Sequence, residues 1–62
     1  MIKVLIEGLA NGPHWVSGNA AQVTLTTNRE EAKVFIEVEA FTVRRDITKQ
    51  VPAGALITFD LD

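Results

Sequence analysis

At 62 residues the chain has room for one domain, and folding at this size removes only about 60% of the unfolded surface from water, so the core must be thin. With no cysteine and a single histidine, His14, neither disulfides nor a histidine-rich metal site can reinforce it; the lack of cysteine gives no sign of an oxidising compartment, which leaves the cytoplasm as the expected location. A net charge of -2, 47% hydrophobic residues and uniformly short apolar runs argue against a disordered chain, a membrane-spanning helix or a signal-peptide core, and they supply no long-range attraction to phosphate.

Residues 1–8, MIKVLIEG, set Ile2, Val4 and Ile6 against Lys3, Leu5 and Glu7, the alternation of a strand with one side more buried. LANGPHWVSGN follows, with turn chemistry at Asn11-Gly12-Pro13 and again at Ser17-Gly18-Asn19. The short HWV between these turns reads as loop or as the extension of a neighbouring strand. Residues 20–27, AAQVTLTT, alternate again, Ala21, Val23 and Leu25 opposite Gln22, Thr24 and Thr26, and form the second expected strand.

The segment from Thr26 to Lys49 supports two readings. As a helix over residues 28–49, Ala32, Ile36, Ala40, Val43 and Ile47 fall within an arc of roughly 80°, a single apolar stripe. Thr27-x-x-Glu30 and Asn28-x-x-Glu31 both match the capping box, and acids gather at the start while Arg44, Arg45 and Lys49 gather at the end, as a helix dipole prefers. As a strand, Val34, Ile36, Val38 and Ala40 share one face, after one helical turn at residues 29–33. Finally VPAGALITFDLD gives a turn and a last strand, in which Ala55, Ile57, Phe59 and Leu61 alternate with Leu56, Thr58, Asp60 and Asp62. The helical reading yields an α+β fold, a small ββαβ domain with one helix across a three-stranded, largely antiparallel sheet. The alternative is an all-β barrel or sandwich of four to five short strands.

Little in the chain suggests chemistry. His14 lies in a glycine-rich loop without a second histidine, a cysteine or a nearby acid, so a small enzyme or metal protein around it is a remote alternative. The glycines at 8, 12 and 18 match no phosphate-binding pattern. Asp60, Asp62 and Glu7 form a carboxylate cluster only if the strands bring them together; a solvated strand face, or an edge kept soluble by charge, is the simpler account. Arg44, Arg45 and Lys49 are the one basic concentration, and with Trp15 or Phe41 as a stacking aromatic they define the second reading, a nucleic-acid-binding accessory protein.

Trp15 is expected either to lid the core or to carry binding energy. Phe35 and Phe41 pose a similar choice between core and contact surface. Val38 and Phe41 fall off the helix stripe, and a second copy of the protein would cover them. The expectation is therefore a non-catalytic, cofactor-free protein–protein interaction module of the regulatory, inhibitory or assembly kind, a class that viruses and mobile elements also encode. It would form homo-oligomers and contact a protein rather than a membrane, with Trp15, Val38, Phe41, Arg44 and Arg45 as the candidate binding residues.

Overall fold

The alternation of the first eight residues becomes β1 (Ile2–Glu7), an inner strand of the sheet in a computed structural model that describes residues 1–19 and 22–61. The chain continues through β2 (His14–Asn19), β3 (Gln22–Thr26), a single 3-10 turn (Arg29–Glu31), α1 (Glu37–Thr48) and β4 (Leu56–Leu61). The strands form one antiparallel sheet in the order β3-β2-β1-β4, and α1 lies on one of its faces, over β1 and β4. The fold is thus a small α+β domain with one helix on an antiparallel sheet. Four strands are present rather than three, because HWVSGN forms a full strand between β1 and β3. Ala20, Ala21 and Asp62, counted above in strands, lie outside the described residues.

Period-two spacing sends Val4 and Ile6 of β1 and Val16 of β2 to the helix side, where all three are fully buried. α1 presents Ala40, Val43 and Ile47 to them at steps of three and four, and Phe35 completes the cluster. The opposite face carries Lys3, Leu5, Trp15, Thr58 and Asp60, as the strand registers require.

The helix spacing predicted over residues 28–49 is realised only from Glu37. β1 and β2 pair at Leu5↔Trp15 and Ile6↔His14 and then diverge, which leaves backbone groups of Ile2 and Val16 turned into a gap. The extended residues Lys33–Phe35 fill it: Lys33 N–H donates to the Val16 carbonyl at 3.0 Å, Ile2 N–H to the Phe35 carbonyl at 2.9 Å, and Phe35 N–H to the Ile2 carbonyl at 2.7 Å. Buried backbone groups need partners, and at a segment containing β-branched and aromatic residues that need outweighs a modest helix propensity. The wedge also carries the chain through the sheet. Arg29, before it, lies on the open face, where its carbonyl accepts from the buried Lys3 Nζ at 3.0 Å; Phe35, after it, is 2% exposed in the core on the helix side. Asn28 does cap, accepting from Glu30 N–H at 3.0 Å, but it serves the 3-10 turn alone. Ala32 is buried without being helical, and Ile36 is the half-exposed N-cap of α1.

Candidate interaction surface

α1 runs antiparallel to β4. Its first turns lie beside the Leu61 end of the strand, and Arg44 and Thr48 flank a groove that reaches Leu56 and Ile57. Midway, Phe41 meets Phe59 edge to face, with ring centroids 5.2 Å apart and an interplanar angle of 78°. The Arg44 guanidinium lies 5.6 Å from the centre of the Phe59 ring, within cation–π range. Despite these contacts Phe41 is 52% exposed, while Val38, one turn before it, is 73% exposed and Leu61, two residues beyond Phe59 on the same strand face, is 74% exposed. Phe41, Arg44, Arg45, Thr48 and Lys49 together line a shallow groove along the outer flank of α1.

The backbone of β4 adds a second feature. Ile2 exchanges hydrogen bonds with Phe35, so Ile2, Val4 and Ile6 turn their backbone groups away from β4, while Lys3, Leu5 and Glu7 turn theirs towards Asp60, Thr58 and Leu56. The N–H and C=O groups of Ile57, Phe59 and Leu61 must then face outwards. Among the described residues no strand pairs with them; the Leu61 carbonyl accepts one long contact, 3.4 Å, from Arg29 Nη2. An edge kept soluble by charge was one expected account of Asp60; which backbone groups face outwards depends on strand order and is not legible in LITFDL.

Three of the candidate binding residues, Phe41, Arg44 and Arg45, line this flank of α1; Val38, also on α1, borders a separate pocket with Phe35, Glu39, Thr42 and Val43, and Trp15 is on neither. It sits in β2 on the opposite sheet face, not in a loop, and its Nε1 donates to Asp60 Oδ2 at 2.9 Å. Arg29 joins them, donating from Nε to Oδ2 at 2.7 Å and from Nη2 to Oδ1 at 3.3 Å. The Arg29 hydrogen bond is the main reason that the Asp60 carboxyl is held below the usual carboxylate range. The bond from Trp15 adds to it, partial burial opposes it, and the charges of Arg29 and Lys3 add a little more. Trp15 therefore anchors the crossover.

Glu7 is not gathered with Asp60, since it stands opposite Leu56 while Asp60 stands opposite Lys3. His14 Nδ1 lies 2.8 Å from the Gly12 carbonyl and donates to it. Among the described residues no three His, Asp or Glu side chains converge as a metal site, and no helix is long and apolar enough to cross a membrane. Comparison with known proteins finds no matching family, no matching curated protein and no matching solved structure.

Proposed function

We propose that the chain is a non-catalytic protein–protein interaction module, a small cytoplasmic regulatory or assembly protein that docks through the outer flank of α1 and the adjoining edge of β4. The observation that carries this reading is the coincidence of exposed apolar side chains, Phe41 and Leu61, with outward backbone groups on one side of the molecule. An edge strand is a template for another chain, and folded proteins usually blunt it with charge, proline or a bulge. β4 has no proline, pairs in unbroken register with β1, and spends its one described charge, Asp60, on Arg29 and Trp15. Side-chain anchors beside a free edge supply the affinity and the selectivity of strand addition together.

The test is Phe41→Glu, which places a charge at the centre of the flank without entering the buried cluster. Association, followed by sedimentation velocity and by affinity capture from the native host, is expected to weaken by about 30-fold or more, the scale of a binding hot spot. A folded Phe41→Glu protein that keeps every association of the parent would overturn the reading. So would tight binding to single-stranded nucleic acid that falls steeply with added salt and survives the substitution, the signature of phosphate contacts.

A further inference from the structure

We propose that the occupant of this surface is a second copy of the chain, joined by antiparallel pairing of the two β4 edges about a two-fold axis centred at Phe59. The assignment rests on the interaction-module reading above and names its partner.

The strand supplies the first half of the case. Pairing about Phe59 sets Phe59 against its own copy and Ile57 against Leu61. These are the residues whose backbone groups face outwards, so each offers a donor and an acceptor to its opposite number. The Leu61 carbonyl would give up only the 3.4 Å contact from Arg29, whose shorter bonds to Asp60 stay in place.

The helix supplies the second half independently. A two-fold axis perpendicular to the sheet keeps both α1 helices on the same face and runs them antiparallel. Glu37, Phe41 and Arg45 are exposed, follow one another at steps of four, and so form one row on α1, acid at one end, base at the other, aromatic between. Such a row is complementary to itself when reversed about its middle: Glu37 meets Arg45 of the other copy, Phe41 meets Phe41, and Arg45 meets Glu37. Among the described residues Arg45 has only a loose, exposed contact of 3.5 Å to Asp46.

The two centres coincide. Phe59, the middle of the outward strand residues, touches Phe41, the middle of the helix row, so one axis serves both. Lengths agree as well: the four steps from Ile57 to Leu61 span about 13 Å of strand, and the eight steps from Glu37 to Arg45 span about 12 Å of helix. With strands about 4.8 Å apart, helices lying over β1 and β4 come within about 10–14 Å of their mates, a gap that phenylalanine and arginine side chains can fill.

Sedimentation velocity on the full chain tests this with three variants. Glu37→Arg and Arg45→Glu are each expected to weaken dimerisation by about three- to tenfold through two like-charge meetings. Mixed together they should form a heterodimer at least as tight as the parent dimer, because both meetings then become favourable. Leu61→Pro removes one outward N–H at an exposed position and should yield a folded monomer by circular dichroism. Slowed hydrogen exchange at the Phe59 amide as protein concentration rises would support the edge directly. A parent chain that stays monomeric at the highest attainable concentration overturns the two-fold assignment. It leaves the module reading standing if Phe41→Glu still abolishes capture of a different protein. A dimer indifferent to Leu61→Pro, or single-charge variants that do not prefer each other, also overturns it.

Discussion

Phe35 and Phe41 lie six residues apart on either side of the start of α1, and the structure assigns them opposite weights. Phe35 is 2% exposed, its backbone bridges Ile2, and its ring completes the cluster around Val4, Ile6 and Val43. Replacing it with alanine removes a fully buried ring, at a cost of about 3–5 kcal/mol. A 62-residue domain has about 3–9 kcal/mol of total stability at the usual value per residue. Phe35→Ala should therefore leave the chain largely unfolded or barely folded at 25 °C. Phe41→Ala loses one edge-to-face pairing and the burial of about half a ring, together about 1–2 kcal/mol. Dividing by an unfolding entropy of about 130 cal/mol/K for this length gives a fall in Tm of about 8–15 °C. Urea and thermal unfolding followed by far-ultraviolet circular dichroism would separate the two variants. Dilution to the range where Tm no longer depends on concentration removes any contribution from association. Should Phe35→Ala cost no more than Phe41→Ala, the wedge between β1 and β2 is not a structural element, and the account of the split sheet is wrong.

The Asp60 cluster predicts a pH dependence with a defined sign. A carboxylate depressed in the folded state gives stability that is present above its unfolded pKa of about 3.9 and lost as pH falls through the lower folded value. The gap in Tm between the parent and Asp60→Asn should thus be full near pH 6 and shrink below about pH 4; a gap that widens on acidification would refute the assignment. Gly8 and Gly12 share a φ of 91°, but a Cβ on Gly8 would stand 3.1 Å from the Gly54 carbonyl oxygen whereas one on Gly12 meets nothing within 4 Å. Gly12→Ala should cost about 1 kcal/mol from backbone strain alone and Gly8→Ala measurably more, read as the difference between two denaturation midpoints. Val38→Ala, at a position 73% exposed, should leave monomer stability within about 0.5 kcal/mol of the parent, and a larger loss in dilute solution would place Val38 in the core.

The outer strands β3 and β4 and the inner strand β1 were legible because each keeps a clean alternation over most of its length. β2 was not: Gly12-Pro13 and Ser17-Gly18-Asn19 carry turn chemistry on both sides of HWV, and only pairing to neighbours on either side makes the segment a strand. The start of the helix was misplaced for a related reason. Ala32 and Ile36 share helical phase with Ala40, Val43 and Ile47, and Asn28 carries a true capping signal, yet the conformation of residues 32–36 is decided by backbone groups of Ile2 and Val16 far away in the chain. Local pattern does not encode that demand. Val38 and Phe41 could be singled out because they fell off the stripe. Phe59 could not, since being on an edge is a property of strand order rather than of the six residues LITFDL.

The two edges of the sheet are unequal, and the inequality favours β4 as the surface in use. On β3 the hairpin register turns Asn19, Ser17 and Trp15 towards Gln22, Thr24 and Thr26, which leaves Val23 and Leu25, among the described residues, with outward backbone groups, and the chain beyond Thr26 leads at once into the turn bearing Glu30 and Glu31. A second copy approaching that edge would meet two acids of its own kind. β4 has three outward residues, a neutralised aspartate and a flank that carries an acid, Glu37, at one end and a base, Arg45, at the other. The crossover that splits the sheet produces this difference: the same Arg29 that follows β3 reaches across the open face to hold Asp60, and in doing so it removes from β4 the one charge that would otherwise have repelled a matching strand.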